Sequence, residues 1–223
     1  MNKIKKISIL FSGTRKTDKA LSNVLEIISD LKKEVILSLN INEIGEREMK
    51  KISKSNLILV LGGDGTMIGS IRSLHSLNLP FLGINTGTVG FLTDISISRI
   101  NILKDILNGD FIEEDRPIFE ACTDKSKKEI FLNEVVIHSG SVTKMIGLEL
   151  SIENQVIYNL KADGLIISSS TGSSAYSYSG GGPIISPKLD ALSLLPMFSH
   201  SSSSHSLLLS NKEEISVKIK NND

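Results

Sequence analysis

The sequence has no tryptophan and one cysteine, Cys122, in 223 residues. A lone cysteine excludes an intrachain disulfide and any cysteine-built metal site, and its simplest place is the core. Lys+Arg and Asp+Glu both number 25, so no net charge is available for a broad nucleic-acid surface. No run approaches the ~20 apolar residues that a membrane-spanning helix needs. The N-terminal MNKIKKISILFSG carries charges but too short an apolar run for a signal peptide. These absences predict a cytoplasmic chain with no membrane and no nucleic-acid partner. Aromatics are only 4%, but an apolar content of 40% suffices for a core, and the length suits one large or two small domains.

What is present centres on LILVLGGDGT, residues 57–66. Five apolar residues in a row predict a strand buried on both faces. Gly62, Gly63, Asp64 and Gly65 follow at once, and then a helix-like run from Thr66. A strand, a Gly-rich turn and a helix N-terminus place free backbone N–H groups where phosphate oxygens can bind. That makes Gly62, Gly63, Gly65 and Thr66 candidate phosphate-binding residues. Asp64 is the odd member, because a carboxylate in a phosphate cradle repels phosphate unless it takes a proton or meets a metal. The alternative is an ordinary tight turn in which Asp64 caps the helix. Two common Gly-loop patterns fail: GxGxxG counted from Gly63 would need glycine where Ile68 stands, and no lysine follows for a P-loop.

Strands are predicted at Ile7–Phe11, Val35–Leu39, Leu57–Leu61 and Phe81–Asn85, with helical spacing over Leu21–Leu31, capped by Thr17 or Asp18, and weakly over Glu43–Ser53. Alternation of strand and helix predicts a doubly wound parallel sheet, whose ligands bind beyond the strands' carboxyl ends. A helix over Ser98–Asn108 is expected to stop at Gly109. The pattern then turns to strands: Phe131–His138, Met145–Ile152, Gln155–Leu160, Leu165–Ser168 and Ile215–Ile219, with Glu153-Asn154 as a hairpin turn. The boundary falls near Phe111–Pro117, giving an α/β domain over 1–112 and a mostly-β domain over 113–223, with a ligand cleft between them. The Ser- and Gly-rich stretch 168–187 reads as a ligand-contacting loop, or else a plain one. His200 and His205, in a second Ser-rich stretch, read as solvated.

Together these pieces resemble the NAD kinase family. The resemblance rests on Gly62-Gly63-Asp64-Gly65-Thr66, Gly83-Ile84-Asn85-Thr86-Gly87 with Gly90-Phe91-Leu92, Asn133-Glu134, Asp163-Gly164-Leu165-Ile166, Thr171-Gly172-Ser173-Ser174-Ala175-Tyr176, Gly181-Gly182-Pro183-Ile184 and the region from Pro196 to His200. It implies an α/β domain followed by a β-sandwich-like domain, and transfer of the γ-phosphoryl of ATP, or of polyphosphate, to the 2′-hydroxyl of the adenosine ribose of NAD, giving NADP. It further implies Asp64 as proton acceptor and, with Gly65, an NAD contact. Asn133, Glu134, Lys144, Lys161, Asp163 and the run Ser174, Ala175, Tyr176, Ser177, Tyr178, Ser179 are implied as dinucleotide contacts. Phe91, in its Gly-rich turn, is placed to stack on a ligand. Mg2+ is implied on the ATP phosphates, with no protein metal site, and a homodimer or homotetramer as the assembly.

Read without the family, each contact has a plainer alternative: a polar pair at a strand end for Asn133-Glu134, a solvated lysine for Lys144, a surface ion pair for Lys161 with Asp163, a turn for Asp163-Gly164, and core positions for Tyr176 and Phe91. The sequence also departs from the family pattern. Ser169-Ser170 replace Thr-Pro, which predicts a less rigid loop, and His205 stands where an arginine is usual. The chain stops at Asp223, short of the family's last sandwich strands, which predicts lowered stability. A diacylglycerol-type lipid kinase sharing GGDGT, and a catalytically impaired NAD-binding protein, are the competing assignments.

Overall fold

The structure, a computed structural model, describes residues 4–13, 15–87, 90–124, 128–140, 145–199 and 205–220. The chain divides into two compact units, Met1–Glu114 and Asp115–Asp223.

The first unit runs β1 (Lys6–Phe11), α1 (Arg15–Asp30), β2 (Glu34–Asn40), α2 (Glu46–Ile52), β3 (Leu57–Gly62), α3 (Asp64–Leu74), β4 (Phe81–Asn85), β5 (Ile95–Ser96) and α4 (Ile102–Asn108). The strands form one parallel sheet in the order β2-β1-β3-β4-β5. β3 sits at its centre and every residue of it is buried. Its side chains alternate between two cores. Leu57, Leu59 and Leu61 join Ile7, Ile9, Val24, Ile28, Leu103 and Leu107 on the α1 and α4 face. Ile58 and Val60 join Leu10, Ile52, Met67 and Leu74 on the α2 and α3 face. An apolar residue at every position is what a strand covered on both sides requires, and each such burial stabilises by about 1.5–3 kcal/mol. Just ahead of β3, Asn56 grips the neighbouring strand: its Oδ1 accepts from the N–H groups of Lys5 and Lys6 at 3.1 and 3.0 Å, and its own N–H donates to the Lys6 carbonyl at 2.7 Å. The strand order reverses between β1 and β3, and the carboxyl ends there are Ser12 and the Gly62–Thr66 turn, whose Ser12 and Thr66 hydroxyls meet at 3.1 Å.

The second unit contains β6 (Phe119–Ala121), β7 (Glu129–Phe131), β8 (Glu134–His138), β9 (Ile146–Ile152), β10 (Gln155–Ala162), β11 (Gly164–Ser169), α5 (Tyr176–Ser179), β12 (Ala191–Met197), β13 (Leu207–Ser210) and β14 (Ile215–Lys220). Two antiparallel sheets, β10-β9-β14 and β13-β12-β11-β8, share one core: Leu148, Leu150 and Leu160 from the first, Leu165 and Leu194 from the second. This is a sandwich, as expected. Beside it β6 and β7 pair as a short ribbon, with the rings of Phe119 and Phe131 stacked 5.4 Å apart. Glu153 and Asn154 both take positive φ, 47° and 63°, the conformation that a two-residue hairpin turn demands.

Several expectations are corrected. The single strand expected over Phe131–His138 is broken at Leu132-Asn133, whose carbonyls turn to Ser169 instead of a ladder partner. β12 was not anticipated; it contains Pro196, a residue that strand interiors seldom admit. Pro196 faces Leu165 on one side, and β13 pairs β12 only from Ala191 to Leu194, so the missing N–H falls beyond that ladder. β6 and β13 were also unanticipated. α1 begins at Arg15, so Thr17 and Asp18 lie within its first turn instead of capping it. The helix expected over Ser98–Asn108 is a 3-10 turn at Ile97–Arg99 followed by α4, and Gly109 ends it at φ 108°. Cys122 is exposed, not core: it follows the three-residue β6 into a polar turn. His205 is exposed, whereas His200 lies outside the described residues. Among the described residues, no helix is long and apolar enough to cross a membrane.

Candidate active site

In the first unit the site grows from the β3–α3 turn. Gly62 is buried, and a Cβ there would meet the Thr66 side chain at 2.6 Å from its Cβ. Gly63 is the N-cap of α3, with φ −100° and ψ −171°, and its carbonyl accepts from Thr66 and Met67. The N–H groups of Asp64 and Gly65, ahead of these bonds, have no helical acceptor. Space beside Gly63 and Gly65 is open, with nothing within 4 Å of an added Cβ. An anion can approach this backbone closely.

Asp64 does not cap the helix. It is the first residue of α3, and no side-chain cap bond is made there. Its half-buried carboxylate reaches the segment after β4 instead. Oδ2 accepts from the N–H of Phe91 at 2.8 Å, and Oδ1 from the N–H of Leu92 at 3.1 Å and the hydroxyl of Thr93 at 3.5 Å. Gly90 lies against this group, and a Cβ there would overlap the carboxyl atoms. The two Gly-rich turns are thus tied together by one carboxylate. Phe91 is 78% exposed and so is no core residue. Asn85 and Thr93, both buried, stand behind Asp64 and were given no role in the sequence reading. Asn85 shares the quoted Gly83–Gly87 segment, but nothing in the residue pattern tied it to Thr93 or to Asp64.

In the second unit Glu134 begins β8, and Asn133 immediately precedes it. Their position is set by the turn after β11. Ser169 donates its N–H to the Asn133 carbonyl at 2.8 Å and its hydroxyl to the Leu132 carbonyl, and accepts from Gly172 N–H at 3.0 Å. Gly172 packs so closely that a Cβ would come 2.6 Å from the Asn133 Cα. The looser turn expected from Ser169-Ser170 is not what forms: both are buried, and Ser169 holds three neighbouring groups. Among the described residues, Asn133 Oδ1, Glu134 Oε2, Ser170 Oγ and Ser177 Oγ are buried with no hydrogen-bond partner. Burial pushes the Glu134 carboxyl above its ordinary range. An unpaired buried polar atom costs about 1–3 kcal/mol, which a ligand carrying donors can offset.

The other expected contacts divide. Ser174 and Ala175 lead into α5, where Ser177 is fully buried and Ser179 exposed; Tyr176 and Tyr178 are 49% and 58% exposed, so Tyr176 is not core. Lys161 and Asp163 lie elsewhere. Glu134 pairs with Ser168, but Asp163 precedes Gly164 at the opposite end of β11, about 17 Å away at the rise of a strand. Asp163 bridges by its backbone, donating to the Met197 carbonyl at 3.0 Å and accepting from Ser139 N–H at 3.1 Å. No ion pair joins Lys161 to Asp163 among the described residues. Lys144 lies outside those residues.

Both halves of the chain match family models: residues 10–111 the ATP-NAD kinase N-terminal domain, and residues 132–223 the ATP-NAD kinase C-terminal domain. The NAD kinase of Marinobacter nauticus is 44% identical over 169 residues, covering 74% of this chain and 58% of that protein. The NAD kinase of Chromohalobacter salexigens is 37% identical over 214 residues, covering 94% and 70%. The chain thus spans less than two thirds of the Marinobacter protein. Among solved structures, an NAD kinase from Archaeoglobus fulgidus in complex with ATP has a TM-score of 0.79 at 23% identity, covering 96% of this chain and 81% of that one. Yeast NADH kinase complexed with NADH has a TM-score of 0.81 at 23% identity, covering 100% and 71%. The doubly wound sheet of the first unit, the sandwich of the second, the GGDGT turn and both family matches agree, and the chain belongs to the NAD kinase family.

Proposed function

We propose that this chain is an NAD kinase, which transfers the γ-phosphoryl of ATP to the 2′-hydroxyl of the adenosine ribose of NAD. The observation that carries the proposal is Asp64, a carboxylate at a Gly-rich helix N-terminus that leaves the capping to Gly63. Phosphoryl transfer needs positioning and charge neutralisation more than covalent help. The N–H groups of Gly63 and Gly65 and the hydroxyl of Thr66, with Gly62 allowing the tight turn, hold phosphate oxygens. Asp64 accepts the hydroxyl proton, a contribution of about 10²–10⁴-fold. Phe91 offers an exposed ring for stacking. Asn133 and Glu134, whose buried oxygens have no partner among the described residues, accept hydrogen bonds from the dinucleotide, while Ser174, Ala175, Tyr176, Ser177, Tyr178 and Ser179 wrap it. Lys144, Lys161 and Asp163 are assigned to the dinucleotide on family resemblance alone.

The functional domains are assigned as 1–112 and 113–223. No group of three or more His, Cys, Asp or Glu among the described residues could hold a metal. Mg2+ is assigned to the ATP phosphates on family resemblance, where it would neutralise charge. A homodimer or homotetramer in the cytoplasm, with ATP and NAD as its small-molecule partners, completes the family reading.

The test is incubation with ATP, Mg2+ and NAD, with NADP read by a coupled dehydrogenase. Asp64→Asn is expected to abolish turnover and leave NAD binding intact. Equal turnover in that variant rejects Asp64 as the base, and no NADP from the unaltered chain rejects the kinase.

A further inference from the structure

Asn85 and Thr93 form a directed chain of hydrogen bonds that ends on the Asp64 carboxylate. Gly87 N–H donates to Asn85 Oδ1 at 2.8 Å, which fixes the amide so that its Nδ2 faces away. Nδ2 then donates to Thr93 Oγ1, also at 2.8 Å. With one lone pair of Oγ1 so occupied, the Thr93 hydroxyl is turned to donate, and its acceptor among the described residues is Asp64 Oδ1 at 3.5 Å. Thr93 itself is held firmly. Gly83 N–H donates to Asp94 Oδ2 and Asp94 N–H to the Gly83 carbonyl, both at 3.0 Å. A Cβ on Gly83 would come 2.8 Å from the Thr93 Cα, so β4 and Thr93 touch backbone to backbone. Asn85 and Thr93 are 2% and 8% exposed.

A carboxylate offers about four lone-pair positions. Leu92 N–H and the Thr93 hydroxyl take the two on Oδ1, and Phe91 N–H takes one on Oδ2. We propose that Thr93, set by Asn85, is a positioning residue that holds Asp64 so that one lone pair of Oδ2 is the proton-accepting position. This rests on the kinase reading above. In that step the ribose O–H bond breaks and its proton passes to Oδ2. The ribose oxygen bonds to the γ-phosphorus, and the bond from that phosphorus to the bridging oxygen of ATP breaks, releasing ADP.

The experiment compares Thr93→Val, which removes the hydroxyl at constant shape, with Thr93→Ser, which keeps it. For each variant, kcat, both KM values, the thermal midpoint and amide hydrogen exchange at Phe91 and Leu92 are measured. Thr93→Val is expected to lower kcat by about 10- to 100-fold, the scale of a small misplacement, with both KM values within twofold of the parent. Its Phe91 and Leu92 amides exchange faster, because the carboxylate that anchors them has lost a tether. Thr93→Ser restores kcat and exchange. Parent-like kcat in Thr93→Val, a deficit shared equally by Thr93→Ser, or a change confined to KM overturns the proposal. Thr93→Ala carries the same expectations if the valine variant does not fold. If the parent chain makes no NADP, the kinase reading fails by itself, and the exchange rates alone decide the positioning role: unchanged rates in Thr93→Val overturn it.

Discussion

Gly90→Ala is the sharpest test of the carboxylate's place in the fold. The added methyl group would overlap the Asp64 carboxyl atoms. The flexible partner must yield, so Asp64 swings away and releases the N–H groups of Phe91 and Leu92, held at 2.8 and 3.1 Å. Hydrogen bonds to a charged group contribute about 1.5–3 kcal/mol each. Asp64 is half-buried, so water recovers part of this, and alanine returns about 0.4–1 kcal/mol by restricting the unfolded chain. The expected net loss is about 2–3 kcal/mol, or a fall of about 10 °C in the melting temperature of a unit of this size. Turnover should fall by at least about 100-fold, since the proposed base has moved. Gly87→Ala is the control from the same turn: its Cβ would come no nearer than 4.0 Å to Asn85 Oδ1, and little change is expected. The assay is a thermal melt with a double-mutant cycle. In an Asp64→Ala background, Gly90→Ala should cost nothing further. Equal melting losses in both backgrounds would show that the methyl group collides with something else, and the reasoning would fail.

Two further outcomes follow from the second unit. Glu134 has its carboxyl raised by burial, so the folded chain holds that proton more tightly than the unfolded chain does. The associated stability is fully present below the unfolded value of about 4.3 and is lost as pH rises through the folded value. Glu134→Gln should therefore melt higher than the parent at pH 8 and alike at pH 4, while raising the KM for NAD; a parent that melts higher at pH 8 would contradict this. Ser169→Ala removes a hydroxyl that joins Leu132 to Gly172 inside the protein. It should cost about 1–3 kcal/mol in urea unfolding and raise the KM for NAD several-fold, with kcat little changed.

Legibility in the sequence followed the physics of each element. β3 was readable because a strand covered on both faces admits only apolar residues, and Gly109 and Glu153-Asn154 because left-handed backbone selects few residue types. β12 was not read, and its Pro196 is tolerated only because of where a neighbouring strand stops pairing. The break at Leu132-Asn133 was hidden because its cause, Ser169, is remote in sequence. The same limit applies to the site. Asp64 stood out as a charge among glycines, but its donors lie 27 to 29 residues along the chain. Thr93 and Asn85 acquire meaning only when those segments meet. Ser169 and Ser170 read as a loosening of the loop because a serine's effect depends on what its hydroxyl reaches.

An aliphatic strand with both faces submerged has no polar side to tell it how far to slide. Shifting β3 by a single residue would trade one oily face for another, so greasiness alone cannot set its alignment against β1. Asn56 supplies the missing index mark: a side chain bonded to two successive amides of the adjacent chain, as seen at Lys5 and Lys6, fits at one offset only. Asp64 lies eight residues downstream, and a slip of one position would carry it about 3.3 Å along the sheet. The accuracy of the Asp64 carboxylate's place is thereby inherited from an amide at the far end of the same strand.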